Sequence, residues 1–312
     1  MNKFHQVCTF ALVMLVASVG FGAEKKTQVE VAKHLQDISV TVKAKGSEGS
    51  GVIKTRVVKN GDKEETVSFV WSAAHVISGL RKTRSVIDAK SGTPKTVIEF
   101  DDAQIVQEEF QNGRKIGESK MDARVLKYSD ADNNEDLCIL QIRKRNFAPK
   151  DVSAKFYLDG DLLPSVGENL LHCGSLLGQN SGANSITSGI VSANGRLYEG
   201  KTYTQTNVSG FPGSSGGGIF LRDDGRLIGL LTRGYQTTFL LHVPMTRIKS
   251  WAERNKLMFT IDDVTPVPFQ EQLDRIPVED SGTNFSSERL TPVVDAPSPP
   301  PMKDLKFLIK VD

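Results

Sequence analysis

The chain has 312 residues, 38% hydrophobic and 24% charged, enough apolar material for one large or two ordinary domains with a buried core. Its 39 Lys and Arg against 37 Asp and Glu leave a formal charge of +2. The basic residues form no stripe interleaved with aromatics, so nucleic acid is not an expected partner. No Cys/His grouping has metal-ligand spacing, and neither a metal nor another cofactor is expected.

Residues 1–22 have the layout of a secretory signal peptide. Lys3 precedes an uncharged apolar run over residues 7–20, and small residues follow at Gly20, Gly22 and Ala23. The run is short for a membrane span. The mature protein is therefore expected to be secreted or periplasmic, without stable membrane insertion after cleavage; an uncleaved anchor is the other reading. Cys8 falls inside this segment, which leaves Cys138 and Cys173. An oxidising compartment permits a bridge between them, and separate burial in strands is the alternative.

Residues 27–35 (TQVEVAKHL) carry apolar residues at helical spacing. After them, short strand patterns recur over residues 38–42, 51–58, 65–71, 96–100, 123–126, 137–142, 169–172, 186–192, 203–207, 219–221, 227–231 and 239–243. Turn signals separate most of them: Asn60-Gly61, Asn112-Gly113, Asp159-Gly160, Asn194-Gly195 and Asp224-Gly225. Residues 101–122 form a charged excursion, read as a hairpin around Asn112-Gly113. Many short strands with turn chemistry between them predict an all-β barrel or sandwich rather than βαβ units. Residues 244–255 (PMTRIKSWAERN) predict a late helix with Pro near its start. From residue 263 to 312 the composition turns to Pro, Ser, Thr and acids, which predicts an extended or disordered tail. Its segment Leu305-Lys306-Phe307-Leu308-Ile309 has the pattern of a short strand.

The run GFPGSSGGGIF, residues 210–220, has the composition of a linker, but a hairpin pattern follows it directly. A reacting serine needs a base to take its proton, an acid to orient that base, and donors for an oxyanion. His75 lies where the strand pattern of residues 69–71 ends in Ser72-Ala73-Ala74, small residues that let other segments approach an imidazole. Asp136 stands at the mouth of the apolar run Leu137-Cys138-Ile139-Leu140, where a carboxylate needs a hydrogen-bond partner. Ser215 sits among glycines that allow the N–H groups of Gly213 and Ser215 to point at one spot. Ser214 is the rival nucleophile, and Asp130, Asp132 and Glu135 are rival acids in a polar loop. Gly213-x-Ser215-x-Gly217 also fits the nucleophile elbow of esterases, but that fold needs its acid and histidine after the serine.

SAAHVI, DLCIL and GSSGG, in this order, resemble the His, Asp and Ser blocks of the chymotrypsin-fold, trypsin-like serine peptidases. Gly49-Ser50-Gly51-Val52-Ile53 and Ile186-Thr187-Ser188-Gly189-Ile190-Val191-Ser192-Ala193 resemble segments of the exported bacterial HtrA/Deg-like branch. The resemblance covers roughly residues 35–255. It implies two packed six-stranded antiparallel β-barrels within residues 27–262, split near 150–165, with short N-terminal and C-terminal helices. It further implies a triad of His75, Asp136 and Ser215, an oxyanion hole from the N–H groups of Gly213 and Ser215, and protein or peptide substrates. The specificity pocket would be lined by Val208, Ser209 and Gly210 on one side and Thr232, Arg233 and Gly234 on the other. No acid stands at its base, where Ser209 most nearly aligns, so small or medium apolar residues are the expected preference. Ser214 replaces the aspartate that receives a new N-terminus in the animal enzymes, so activation of that kind is not expected. Fewer than about 60 residues follow the late helix, too few for the PDZ domain common in the HtrA branch. The rival class is a binding or chaperone protein on the same scaffold, catalytically inactive or switched by a ligand. The sequence sets no oligomeric state.

Overall fold

A computed structural model describes residues 26–280, apart from 90, 112–113, 133 and 160–162. The signal-like segment with Cys8, the Asn112-Gly113 turn, Gly160 and the sequence from 281 onward lie outside the described residues. β1 Ser39–Ala44, β2 Ser47–Asn60, β3 Lys63–Ser72, β4 Arg81–Ile87, β5 Pro94–Phe100, β6 Ala103–Gln111, β7 Arg114–Ser129 and β8 Leu137–Ile142 come first. All but β4 and β5 close into an antiparallel barrel in the order β1-β2-β3-β8-β7-β6. β9 Asn169–Gly174, β10 Ser185–Tyr198, β11 Lys201–Thr206, β12 Gly218–Leu221, β13 Leu227–Gln236 and β14 Phe239–Pro244 close a second barrel in the order β10-β11-β14-β13-β12-β9. The predicted pair of six-stranded barrels is what the chain forms.

The strands that carry the site are buried on both faces, which explains their unbroken apolar runs. Along β3, Val67, Phe69 and Trp71 face a core shared by both barrels, whereas Val70 faces the first barrel's interior. β8 divides likewise, with Leu137 and Ile139 toward the shared core and Cys138 and Leu140 inward. Such period-two division follows from the pleat.

Helix α1 (Gln28–Ile38) fills part of that shared core with Val31, Leu35 and Ile38. Its start is fixed by a capping box: the Thr27 hydroxyl accepts the Glu30 N–H, and the Glu30 carboxylate accepts the Thr27 N–H. Two short helical turns follow, α2 (Ala74–Ile77) and α3 (Gln179–Gly182). The late helix α4 (Met245–Arg254) has Pro244 at its N-cap and buries Met245, Ile248, Trp251 and Ala252. Trp71 meets the Trp251 ring edge-on at 5.6 Å, and its indole N–H donates to the Thr260 carbonyl at 3.0 Å. The strand leading to His75 is thereby anchored to the C-terminal helix.

Three expectations are corrected. Asn194-Gly195 does not end a strand; β10 runs on to Tyr198, and the register shift around it marks a bulge, a use of an αL glycine that resembles a turn in sequence. β4 and β5 pair as a separate hairpin, and β4 carried no strand signal because nearly all of its residues are exposed. The expected tail begins later than residue 263. The Arg56 guanidinium donates to the carbonyls of Phe259, Asp262, Asp263 and Thr265. A short helix, α5 (Gln270–Leu273), buries Leu273, and the Tyr128 N–H donates to the Val278 carbonyl at 2.7 Å. A segment held through its backbone carbonyls leaves little trace in composition.

Candidate active site

Register brings the first two site residues together. Ser72, the last residue of β3, pairs with Cys138 near the start of β8. The chain leaving β3 therefore meets the chain entering β8, and His75 on α2 reaches Asp136. The Asp136 carboxylate accepts the His75 backbone N–H at 3.0 Å and faces Nδ1 at 3.0 and 3.1 Å. With the carboxylate ionised, Nδ1 must carry the donated proton, which leaves the Nε2 lone pair available. Asp136 is 0% exposed and the His75 side chain 33%, so the acid is sealed while the imidazole keeps an open edge.

Asp136 holds a left-handed backbone, φ 56°, and its neighbour is clamped from the other barrel's side. Arg247 donates to the Glu135 carboxylate at 2.7 and 2.9 Å and to its backbone carbonyl at 3.2 Å, and Arg254 adds a bond at 3.0 Å. Glu135, a rival acid in the sequence, is thus committed to α4. Paired, partly buried charges joined by several hydrogen bonds fix geometry.

The serine loop is held by the first barrel. The Ser50 hydroxyl donates to the Gly213 carbonyl and accepts the Ser175 N–H, both at 2.7 Å. The Ser50 N–H donates to the Ser215 carbonyl at 2.7 Å. Gly216 turns with φ +82°, and a Cβ there would lie 2.2 Å from the Ser72 hydroxyl and 2.7 Å from the Ala73 nitrogen. The loop therefore presses directly on the segment that carries His75, and only glycine fits.

Two peptide planes decide what this loop offers. The Pro212 carbonyl accepts the Leu177 N–H at 2.8 Å, and the Ser214 carbonyl accepts the Gly217 N–H at 3.0 Å. Across a trans peptide the following N–H points the opposite way, so the Gly213 and Ser215 N–H groups face away from those partners. Among the described residues neither is bonded within the protein. Gly213 has φ +96°, and a Cβ would strike the Ser175 carbonyl at 2.3 Å. Ser214 is 2% exposed, and its hydroxyl accepts the Phe211 N–H at 3.0 Å, whereas Ser215 is partly exposed.

Beside Ser215 opens a cavity of about 360 Å³, lined by Gly210, Thr232, Arg233 and Gly234 together with Leu231 and Leu240. Val208 and Ser209 do not line it. Val208 is buried in the second barrel's core, and the Ser209 carbonyl accepts the Thr187 hydroxyl at 2.8 Å. The sequence reading missed Leu231 and Leu240, because apolar residues in a strand signal core before pocket. It also missed Ser50, whose trace is its place between Gly49 and Gly51.

The remaining candidates lie elsewhere. Cys138 and Cys173 are buried separately and unbridged; burial pushes the Cys173 thiol up to about 12 and Cys138 higher still. His172 and His242 are buried in the second barrel, lowered by burial to about 4 and about 3.

A family model for the trypsin-like peptidase domain matches residues 49–230. No curated protein matches the sequence. Among solved structures, a serine endoprotease from Yersinia pestis is similar at 20% identity and a TM-score of 0.50, over 75% of this chain and 67% of that one. An HtrA-type protease, AlgW, in a structure with a tripeptide, is similar at 19% identity and a TM-score of 0.49, over 74% and 64%. The alignments span about two thirds of those chains, and at 20% identity the first speaks to fold alone. The match to the family model covers more than half of the sequence, and the chain belongs to the trypsin-like peptidase family, whose members are serine-type peptidases acting on peptides and proteins.

Proposed function

We propose that the protein is an exported serine endopeptidase working through His75, Asp136 and Ser215. The observation that carries this reading is the convergence of a sealed Asp136–His75 pair with a serine loop whose Gly213 and Ser215 N–H groups are unspent. Ser215 Oγ attacks the scissile carbonyl carbon while His75 Nε2 takes its proton. The carbonyl oxygen becomes the oxyanion held by the two N–H groups. His75 then returns the proton to the leaving amine, and water repeats the cycle on the acyl-enzyme. Asp136 holds the imidazole tautomer and stabilises the imidazolium.

An inactive or ligand-switched scaffold would be favoured by a Gly213 N–H turned into the protein. The Pro212 carbonyl bound to Leu177 supports the opposite orientation. The apolar lining supplied by Leu231 and Leu240 favours a small or medium apolar residue before the cleaved bond. Export rests on the signal-like residues 1–22. The test is digestion of a denatured protein mixture with new N-termini read by mass spectrometry. Wild type is expected to generate them after apolar residues, with Ser215→Ala at least about 10³-fold slower. Equal cleavage by both proteins would overturn the reading.

A further inference from the structure

Asp136 has a cationic neighbour beside the imidazole. The Arg233 guanidinium donates to its Oδ2 at 2.6 Å, and the same nitrogen lies 3.4 Å from His75 Nδ1. Because Nδ1 already donates to Asp136, that last contact is not a hydrogen bond but a fixed charge against the ring. Further bonds run to the Thr232 carbonyl at 3.2 Å and the Ala131 carbonyl at 3.4 Å. The adjacent Thr232 hydroxyl is buried without a partner, so the bond that Asp136 receives from this stretch of β13 comes from the arginine.

The charge has a consequence for the chemistry. In the reaction above, Asp136 must favour the imidazolium that forms when Ser215 gives up its proton. A guanidinium on the same carboxylate draws off that negative charge, and its own charge opposes a second cation 3.4 Å away. In place, Arg233 attenuates the pair. Its other two bonds go to neutral backbone carbonyls, and its side chain is 23% exposed and lines the cavity beside Ser215. It is also the single charged side chain among the described residues lining that cavity. An anion in the cavity has no other cation among its lining residues to meet, and that lining holds no acid.

We propose that Arg233 is a substrate-operated latch, released from Asp136 by a carboxylate side chain of the substrate close to the scissile bond. The inference rests on the peptidase reading above. It makes the enzyme selective for apolar residues at the cleaved position accompanied by Asp or Glu just before it. The mechanism is differential: the acidic side chain both binds the guanidinium and frees the carboxylate that the transition state uses.

The experiment compares two peptides identical except for Glu or Gln in the two positions preceding the apolar residue, cleaved by the full chain as wild type, Arg233→Gln and Arg233→Lys. Gln keeps a donor for Asp136 without the charge, and thermal unfolding checks that each variant is folded. Wild type is expected to prefer the Glu peptide by about tenfold or more in kcat/KM. Arg233→Gln should cleave the Gln peptide faster than wild type, lose the preference, and move the acidic limb of its kcat/KM profile to higher pH. Arg233→Lys should retain the preference. Equal wild-type rates on both peptides would overturn the latch. So would an Arg233→Gln protein that is folded yet slower on the Gln peptide with its acidic limb unmoved. Cleavage of neither peptide by any form, together with no labelling of Ser215 by a fluorophosphonate, would instead remove the peptidase reading and the latch with it.

Discussion

In the first barrel, His75 and Asp136 are placed by ladder register: β3 and β8 are hydrogen-bonded neighbours, and their ends carry the two residues into contact. In the second barrel, Ser215 sits on a loop between β11 and β12, two strands that do not pair with each other. On one side the Gly216 N–H donates to the Leu231 carbonyl of β13 at 2.7 Å, and otherwise the loop is held by Ser50 and Leu177, with Ser72 packed against Gly216. One half of the site is specified locally by strand pattern, the other by long-range contacts between barrels. The second kind is the more sensitive to single changes, because each contact is irreplaceable by a neighbour in the same ladder.

Mutations can separate these two modes. The largest effect is expected on the ladder-placed side, where Asp136→Asn keeps the shape but loses the charge that fixes the His75 tautomer. Peptide hydrolysis at neutral pH should fall roughly 10⁴-fold with little change in KM, read by steady-state kinetics. On the loop side, Ser50→Ala leaves the Gly213 carbonyl and the Ser175 N–H without their partner. It should cost about 2 kcal/mol in chemical denaturation and lower kcat by roughly tenfold to a hundredfold as the oxyanion donors lose alignment. Should Ser50→Ala match wild type in both, the loop would be self-supporting and the contrast between the halves would fail.

A third test asks whether the barrels differ in acid. His172 and His242 belong to the second barrel, and burial lowers them to about 4 and about 3. Each stays neutral in the folded state while the unfolded chain takes up a proton below its ordinary value near 6.5. Their contribution is therefore intact above about pH 6.5 and is lost as pH falls toward 4. For His172 this is about 3 kcal/mol across that window. Hydrogen exchange at pH 7 and pH 4.5 should show protection falling first in β9 and β14, with β3 and β8 following. Simultaneous loss in both barrels would dissolve the distinction.

What the sequence made legible follows the same division. The ordered blocks around His75, Asp136 and Ser215 announce the fold and the candidate residues, because strand ends and glycines leave local traces. Ser50 acquires its role only through folding, being a small residue inside a strand, and Arg233, expected to line the pocket, shows its bond to Asp136 only once β13 is folded against the first barrel. Strand β4 escaped because a strand exposed on both faces lacks a burial period. Val208 and Ser209 were placed in the pocket by alignment with a family pattern, whereas here the backbone turns them into the core and toward Thr187. The start of the segment after residue 263 is held at the Asp263 and Thr265 carbonyls by Arg56, about 200 positions away in the chain.

The central claim is that Ser215, and not its neighbour, is the activated nucleophile. Incubating wild type, Ser214→Ala and Ser215→Ala with a fluorophosphonate probe and mapping the adduct by mass spectrometry tests it directly. The account predicts one adduct on Ser215 in wild type and in Ser214→Ala, and none in Ser215→Ala. An adduct on Ser214, or labelling that survives Ser215→Ala, would contradict it.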